Sequence, residues 1–369
     1  MSNYLIVGAG LAGATLARLL TDYGDTVTII DKRDHIAGNC YTYKEKGITI
    51  HKYGAHIFHT NNEDVWNFVN KFAKFNNFIN SPLASYNDIL YNLPFNMNTF
   101  YKIFNEKWPD KIKKIIDKEI EDYKKEHPTI ENLEDQAINM VGTTVYNILI
   151  KGYTEKQWGK KCSELSPEII KRLPLRMTYD NNYFNDKYQG IPIDGYTEMI
   201  SNMIYDIPVI LNTDFNGLKS EYEKDYDYII YTGKIDEYFN YIYGNLEYRS
   251  LKFINKEVNC SNYQGNAVIN YTNSNIPYTR VIEHKHFNND ISDVSIITFE
   301  YPSFSGESYY PMSDDKNLKL YNKYKDLANK QNKVIFAGRL GKYKYFDMDD
   351  VIEDCFILFE SLKEKHIKN

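Results

Sequence analysis

The sequence predicts an α/β protein in which a βαβ unit is interrupted by a helical part and by an antiparallel sheet. The first observation is an apolar stretch at residues 3–8, followed by closely spaced glycines and a helix-favouring segment at residues 12–22. A second apolar run, "TVTIID", occupies residues 26–31. Continuous apolar runs are typical of parallel strands buried on both faces, so this order predicts a βαβ unit at the start of the chain.

The other observations concern the middle and the end of the chain. Residues 98–150 carry apolar side chains at helical spacing with charged opposite faces, which predicts an inserted helical domain. Between residues 266 and 302, "NAVINYT", "TRVIEHKHF" and "VSIITFEYP" have the pattern of antiparallel strands. The strand "YDYIIYTG" at 226–233 and the strand, loop and amphipathic helix at 333–362 are expected to rejoin the first βαβ unit.

Composition and charge exclude several classes of protein. The chain has 369 residues and a formal net charge of −6, and it has neither a basic stripe for nucleic acid nor a polybasic patch for a membrane surface. The sequence has no recognisable leader and no apolar run of membrane-spanning length. The widely spaced cysteines indicate neither a zinc site nor a disulfide framework. We therefore expect a cytoplasmic protein that binds no nucleic acid and does not insert into a membrane.

Gly8, Gly10 and Gly13 form a GxGxxG pattern between the first predicted strand and the first predicted helix. The first glycine permits a tight turn, the second lets the backbone approach a pyrophosphate, and the third lets the helix pack closely on the strand. Asp31 follows at the end of the second strand, where a carboxylate commonly binds a ribose. The pattern predicts a dinucleotide whose pyrophosphate lies at a helix N-terminus.

Three features favour FAD over NAD as this dinucleotide. The polar, Gly-containing segments "DKRDHIAGNCYTY" and "IHKYGAHIFHT" interrupt the repeated βαβ units that are usual in NAD enzymes. The strand "YIIYTG" ends at Gly233, like a short element that closes FAD sites. The segment "YFDMDDVIEDC" predicts a helix that begins near residues 347–349, and its N-terminus would stabilise an anionic reduced flavin.

The expected fold is therefore α/β, with a discontinuous FAD-binding Rossmann-like domain, an inserted helical domain and an antiparallel β-sheet domain. The predicted boundaries are 1–78, 196–240 and 313–369 for the FAD-binding domain, 98–158 for the helical domain, 79–97 and 241–312 for the sheet domain, and 159–195 for a mobile lid with the remaining part of the sheet domain.

Motifs along almost the whole chain resemble those of the bacterial UDP-galactopyranose mutase family. They are "YGAHIFHT" (53–60), "NLPFNMNTF" (92–100), "KGYTEKQWG" (151–159), "DNNYFNDKYQGIP" (180–192), "GNLEYRSLKF" (244–253), "PYTRVIEHKHF" (277–287) and "GRLGKYKYFDM" (338–348). The resemblance implies an isomerase that interconverts UDP-galactopyranose and UDP-galactofuranose and supplies galactofuranose for cell-surface polysaccharide. It implies that only reduced FAD is active, with N5 as covalent nucleophile on the anomeric carbon. It further implies an external reductant for the flavin and a homodimer.

The resemblance also assigns residues to the substrate. Arg172 and Arg280 match the family's catalytic arginines on the pyrophosphate, and a planar guanidinium suits such a bidentate contact. Tyr183, Tyr310 and Tyr345 match tyrosines whose hydroxyls contact the diphosphate. Because the chain contains 34 tyrosines, only their motif positions distinguish these three.

Further substrate contacts are expected at the uracil end and on the lid. Tyr153 and Trp158 match aromatic residues there, and the candidate lid is the loop at about residues 159–176. Asn270 and Asp347 complete the predicted substrate-binding residues. Closure of such a loop would exclude water from the reaction.

Around the flavin, the resemblance places His59 beside the ring and the sugar, as a further catalytic candidate. His56 and His59 are not expected to bind a metal, because no third ligand follows at a suitable spacing. Ala37 replaces a glycine that relatives commonly carry, which predicts that position 37 needs no positive φ. The predicted cofactor-binding residues are Gly8, Gly10, Gly13, Asp31, Lys32, Gly38, Asn39, His56, His59, Gly233, Arg339 and Met348.

Two other classes of protein share parts of this pattern. A flavin oxidoreductase of the amine-oxidase type would use the same FAD domain, but it would need a hydride acceptor or oxygen and a pocket suited to amines. A UDP-sugar sensor without catalysis would keep the substrate pocket but leave the flavin elements unexplained. The pair of arginines and the tyrosine cluster favour the isomerase.

Overall fold

The computed structural model describes residues 1–170, 175–312 and 314–368. The strands are β1 (Asn3–Val7), β2 (Thr26–Ile30), β3 (Thr42–Glu45), β4 (Ile48–His51), β5 (Phe58–Thr60), β6 (Leu83–Tyr86), β7 (Ile89–Asn92), β8 (Tyr188–Gly190), β9 (Val209–Ile210), β10 (Tyr228–Tyr231), β11 (Tyr248–Val258), β12 (Val268–Tyr271), β13 (Arg280–Glu283), β14 (Ser295–Ser303), β15 (Tyr310–Pro311) and β16 (Val334–Phe336). The helices are α1 (Leu11–Tyr23), α2 (Glu63–Val69), α3 (Met97–Phe104), α4 (Pro109–Lys124), α5 (Leu133–Val145), α6 (Lys151–Trp158), α7 (Tyr196–Met203), α8 (Lys219–Asp225), α9 (Ile235–Tyr238), α10 (Lys285–Asn288), α11 (Asp315–Ala328), α12 (Gly338–Gly341) and α13 (Met348–Lys368).

A five-stranded parallel sheet has the strand order β16–β10–β1–β2–β9. Its strands come from three separate parts of the chain, near the N-terminus, near residues 209–231 and near residue 334. Strand β1 is covered on both faces, since Tyr4, Leu5 and Ile6 are fully buried. The arrangement confirms the predicted discontinuous Rossmann-like unit, and it brings the glycine motif, β10 and the start of α13 to one edge of the sheet.

A seven-stranded sheet has the order β15–β11–β14–β13–β12–β6–β7. The predicted antiparallel pairing of β12 with β13 and of β13 with β14 is confirmed. The sheet is not wholly antiparallel, however, because β6 runs parallel to β12, with Leu83 opposite Ile269. The "HKHF" segment, predicted as strand, instead forms α10, and its Phe287 is buried against the ring of His51.

The helices between residues 97 and 158 form a separate apolar core. Helix α5 contains a break at Gly142, whose φ is 79° and ψ is 168°. Beyond the break, the Glu119 carboxylate accepts hydrogen bonds from Thr144 N (3.0 Å) and Thr144 Oγ1 (2.5 Å). An anionic acceptor at a helix start stabilises it. The capped segment continues through a π-helical turn, Tyr146–Ile150, into α6, which ends beside the seven-stranded sheet.

Two further findings concern membranes and thiols. Within the described ranges, no helix is both long and apolar enough to cross a bilayer. All four cysteines, Cys40, Cys162, Cys260 and Cys355, lie in those ranges and carry free thiols.

Candidate cofactor and substrate site

The glycine motif forms a turn in which Gly8 and Gly13 leave no room for a side chain. Gly8 has a φ of +112°, and a Cβ atom at this position would lie 2.1 Å from Thr232 Oγ1. A Cβ atom on Gly13 would lie 1.9 Å from the Gly8 carbonyl oxygen. Gly10 caps α1 without a side-chain hydrogen bond, so the first backbone N–H groups of α1 face the cavity described next. The motif therefore has the features of an anion-binding helix N-terminus.

A cavity of about 400 Å³ extends from this turn along the edge of the parallel sheet. Every predicted cofactor-binding residue except His59 lines it, namely Gly8, Gly10, Gly13, Asp31, Lys32, Gly38, Asn39, His56, Gly233, Arg339 and Met348. The start of α13 lies at the cavity, as predicted for this helix. One elongated site thus collects residues that are more than 300 positions apart in the sequence.

Asp31 fixes the loop as well as lining the cavity. Its Oδ2 atom accepts a hydrogen bond from Ala9 N at 2.7 Å, and its Oδ1 atom accepts one from Arg33 N at 2.9 Å. Both carboxylate oxygens are therefore already engaged by backbone N–H groups. Contact with a ribose would use the remaining lone pairs of these oxygens.

Arg33 also lines the cavity, although no motif in the sequence points to it. Its guanidinium forms an ion pair with Glu307 and donates to Asn39 Oδ1 at 3.0 Å. It also lies 4.7 Å from the centroid of the Tyr53 ring. Arg33 lies two residues after Asp31, the predicted ribose ligand, and this position could have indicated it as a cofactor residue. No local pattern in the sequence identifies its partner Glu307, which is far away along the chain.

The expectation for position 37 is wrong, because Ala37 has a φ of +69°. Two hydrogen bonds hold this conformation, one from Ala37 N to the Ala9 carbonyl (2.8 Å) and one from Cys40 N to the Ala37 carbonyl (2.9 Å). A left-handed alanine costs about 1–2 kcal/mol, which these contacts offset. The turn therefore keeps its shape without the glycine.

Arg280 links the seven-stranded sheet to the helical part. Its Nη2 atom donates to the Tyr153 hydroxyl at 2.9 Å, and its Nε atom lies 3.7 Å from Glu300 Oε1. Burial opposes the positive charge, but Glu300 and Tyr153 more than offset this effect, so the pKa of Arg280 is raised. Asn270 lies opposite Arg280 in the pairing of β12 with β13. Within the described residues, the buried Nε atom of Arg280 and the buried Oδ1 atom of Asn270 have no hydrogen-bond partner.

The predicted tyrosines lie around this guanidinium. Burial raises the pKa of Tyr183 to about 12, with a smaller effect of Tyr153. Tyr310 and Tyr345 stack with ring centroids 5.4 Å apart, and burial raises the pKa of the Tyr310 hydroxyl. Tyr345 keeps 41% of its surface exposed, and partial desolvation by its neighbours raises the pKa of its hydroxyl. These hydroxyls remain protonated at neutral pH and can therefore donate hydrogen bonds to an anion.

Arg339 and Asp347 connect the tyrosine cluster to the cofactor cavity, which both of them line. The Arg339 guanidinium lies 5.2 Å from the Tyr310 ring centroid and 5.5 Å from that of Tyr345. Asp347 N donates to Asp350 Oδ2 at 2.9 Å, which closes the first turn of α13. The structure thus places the predicted substrate residues next to the predicted cofactor residues.

Two predicted residues, Trp158 and His59, stand apart from this cluster. Trp158 is the last residue of α6 and packs against the helical core. His59 lies on β5, where its Nδ1 atom is 3.0 Å from Asp186 Oδ2 and its ring stacks on Phe184 at 3.8 Å between centroids. Arg172 and part of the candidate lid at 159–176 lie outside the described residues.

His56 differs from His59 in its surroundings. Its Nδ1 atom lies 2.8 Å from the Gly54 carbonyl oxygen, and burial lowers its pKa to about 4. The imidazole is therefore neutral near pH 7 and donates from Nδ1 to that carbonyl.

The fold and the glycine turn define a dinucleotide-binding Rossmann-type protein, and residues 6–72 match the family model of the NAD(P)-binding Rossmann-like domain. Residues 148–345, which include α6, Arg280 and the tyrosine cluster, match the family model of UDP-galactopyranose mutase. The chain belongs to the UDP-galactopyranose mutase family.

Individual relatives match over nearly the full chain. A probable UDP-galactopyranose mutase of Klebsiella pneumoniae is 40% identical over 360 residues, which cover 96% of this chain and 92% of that protein. The dTDP-fucopyranose mutase of Escherichia coli is 37% identical over 371 residues, covering 96% and 97%. A crystal structure of reduced UDP-galactopyranose mutase superposes with a TM-score of 0.74 at 14% identity, covering 99% and 94% of the two chains, and supports the fold.

Proposed function

We propose that this protein interconverts UDP-galactopyranose and UDP-galactofuranose with the help of reduced FAD. The observation that carries the proposal is the position of Arg280, which donates to the Tyr153 hydroxyl and lies near Tyr183, Tyr310 and Tyr345, close to the cavity residues His56 and Arg339. Membership of the mutase family supports the same activity.

The residues of the cavity fit a flavin dinucleotide. Gly10, Leu11 and Ala12 at the start of α1 line the cavity, and no side chain caps this helix, so its first backbone N–H groups are available to a pyrophosphate. The N-terminus of α13 lies at the same cavity beside Arg339 and can stabilise negative charge on a reduced ring. Reduced FAD, when bound, supplies its N5 atom as the nucleophile toward the anomeric carbon of the sugar.

The substrate residues then act on the UDP group. Arg280 is proposed to hold the pyrophosphate and to stabilise the charge that develops on it when the anomeric bond breaks. Tyr183, Tyr310 and Tyr345 donate hydroxyl hydrogen bonds to the same phosphates. Arg172 keeps its proposed role as a second pyrophosphate ligand from the family resemblance.

The remaining substrate residues are assigned by their positions. Tyr153 orients Arg280 and lies toward the uracil end, with Trp158 further along the same helix. Asn270 offers a buried amide oxygen beside Arg280, which suits a hydroxyl donor of the ligand. Asp347 is proposed to lie between the sugar and the flavin. Closure of the predicted lid would exclude water.

His59 is proposed to act beside the flavin and the sugar. The Asp186 carboxylate accepts from its Nδ1–H, which orients the ring and leaves Nε2 as an acceptor for a proton from a sugar hydroxyl. An external donor is proposed to reduce the flavin, and the protein is proposed to be a cytoplasmic homodimer that supplies galactofuranose for polysaccharide.

A second candidate function is the same ring interconversion on a different sugar nucleotide. The E. coli relative, at 37% identity, is by its name a dTDP-fucopyranose mutase. An oxidase of the amine-oxidase type is disfavoured, because a cationic cluster with neutral hydroxyl donors suits a diphosphate better than an amine.

The test is an incubation of FAD-loaded, dithionite-reduced protein with UDP-galactofuranose and, separately, with dTDP-fucofuranose. We expect chromatography to show conversion of the first compound to UDP-galactopyranose. Faster conversion of dTDP-fucofuranose would assign the second candidate. No conversion of either compound under reducing conditions would contradict a mutase activity.

A further inference from the structure

Lys156 makes an unusual set of contacts on the helix that carries Tyr153. Its Nζ atom donates to three backbone carbonyl oxygens, those of Tyr271 (2.7 Å), Ile276 (3.0 Å) and Tyr278 (3.1 Å). Tyr271 is the last residue of β12, and Ile276 and Tyr278 belong to the connection between β12 and β13. Within the described residues, Lys156 has no ion-pair partner.

Such an environment argues for a specific role. Burial lowers the pKa of the Lys156 ammonium to about 8, as expected where no carboxylate compensates the charge. An ammonium group has three N–H donors, and the three carbonyls use all of them. Lys156 therefore has no donor left for a ligand, and it acts on the protein itself.

A second contact lies one helical turn earlier on the same face. Gly152 approaches the β12–β13 connection so closely that a Cβ atom would lie 2.1 Å from the Thr272 carbonyl oxygen. Residues four apart lie next to each other along a helix, so Gly152 and Lys156 form one docking edge of α6. Tyr153 lies between these two residues in the sequence, and its hydroxyl accepts from Arg280.

The connection leads directly into the substrate site. Arg280 follows Tyr278 by two residues, and its guanidinium donates to the Tyr153 hydroxyl at 2.9 Å. The docking edge therefore sets the separation between α6 and β13, and with it the position of Arg280.

We propose that Lys156 is a positioning residue for the UDP site, which holds α6 on the β12–β13 connection so that Tyr153 orients Arg280. The inference rests on the proposed function, because it takes Arg280 as the pyrophosphate ligand. A displacement of a binding group by about 1 Å is enough to weaken its contacts strongly.

The test compares Lys156→Met with Lys285→Met in FAD-loaded protein. Lys285 is a suitable control, because it is buried and likewise donates to backbone carbonyls, those of Ser261 and Ser292, both at 2.8 Å. Calorimetric titration with UDP is expected to show about tenfold weaker binding for Lys156→Met, in line with hydrogen bonds from a charged group, and unchanged binding for Lys285→Met. Flavin content should stay near that of the wild type in both.

A double-mutant cycle separates positioning from general destabilisation. Tyr153→Phe removes the hydroxyl through which Lys156 is proposed to act, so Lys156→Met should weaken UDP binding less in that background. Gly152→Ala is an independent variant that keeps Lys156 but forces α6 away from the β12–β13 connection. It should weaken UDP binding about as much as Lys156→Met does.

Unchanged UDP affinity in Lys156→Met would overturn the inference, as would a loss of UDP affinity equal to that of Lys285→Met. The inference would also fail if the losses of UDP affinity in Lys156→Met and Tyr153→Phe were fully additive in the double variant. If Lys156→Met does not fold, the result with Gly152→Ala decides in the same way. Failure of the wild-type protein to bind UDP would instead contradict the proposed function, so the two failures are distinguishable.

Discussion

The Nδ1 atom of His59 lies 3.0 Å from the Oδ2 atom of Asp186, and the other oxygen of Asp186 accepts from Asn61 Nδ2 at 2.6 Å. The carboxylate is therefore held on both sides and fixes the orientation of the imidazole. Because the partner of one ring nitrogen determines which nitrogen carries the proton, Asp186 leaves Nε2 of neutral His59 as an acceptor. The imidazole also stacks on Phe184, which limits rotation of the ring.

Asp186→Asn should reduce the activity without loss of flavin. A hydrogen bond to a charged group contributes about 1.5–3 kcal/mol, so kcat/KM for UDP-galactofuranose should fall roughly 10- to 100-fold. Asp180→Asn is the control, because Asp180 is an exposed carboxylate in the same segment and does not contact His59. Equal activity of the two variants would show that the pair does not orient a reacting group.

Gly13→Ala should abolish dinucleotide binding. The added methyl group would lie 1.9 Å from the Gly8 carbonyl oxygen, so α1 and the turn cannot keep their contact. Gly217→Ala is the matched control, because a Cβ atom there meets nothing within 4 Å. Visible absorbance of the purified proteins measures their flavin content, and a full flavin complement in Gly13→Ala would contradict the assignment of this turn.

Arg280→Lys should keep the flavin and lose most of the turnover. Lysine retains the charge but not the planar fork that suits a pyrophosphate. Removing one donor that stabilises developing charge typically lowers kcat about 10²–10³-fold, and we expect a loss in this range. Arg280→Ala should be at least as impaired and still yellow. Loss of flavin in either variant would assign Arg280 to the cofactor instead.

The parallel sheet and the glycine turn were predictable from local signals. Apolar runs define β1 and β2, and Gly8 and Gly13 each leave no room for a side chain. The antiparallel core of the larger sheet was predictable from a different pattern, that of the strands between residues 266 and 302. The glycine turn and Asp31 therefore follow from local signals, whereas the other predicted cofactor residues follow from the family resemblance.

Long-range packing explains what was not predictable. No local pattern indicates that β6 pairs in parallel with β12, or that Phe287 leaves a strand-like segment to pack on His51. The left-handed Ala37 depends on hydrogen bonds formed only in the folded turn. Lys156 looked like one of many charged helix residues, since its three carbonyl partners are more than 100 positions away.

His284 should make the stability of the protein sensitive to acid. Burial lowers the pKa of this imidazole to about 3, whereas an unfolded histidine titrates near about 6.5. The contribution of neutral His284 to the free energy of unfolding is therefore fully present above pH about 6.5 and is lost as the pH falls toward about 3. In this range the histidine binds a proton in the unfolded chain but not in the folded protein, which favours unfolding. The melting temperature of the wild type should fall over this range.

His284→Gln should flatten this pH dependence, because glutamine keeps a donor for Thr298 Oγ1 and does not titrate. His127→Gln is the control, since His127 is exposed on the surface of the helical part. Thermal unfolding at a series of pH values measures both variants. A slope in His284→Gln as steep as that of His127→Gln would contradict a role for the buried imidazole.

The redox state of the flavin during turnover tests the central claim most directly. FAD-loaded protein, reduced by dithionite under anaerobic conditions and freed of excess reductant, is mixed with a large excess of UDP-galactofuranose while the flavin spectrum is recorded. We predict many turnovers to UDP-galactopyranose with the flavin still reduced at the end, and no turnover by the oxidised protein. Oxidation of the flavin in step with consumption of the sugar nucleotide, or equal rates in the two redox states, would contradict the account.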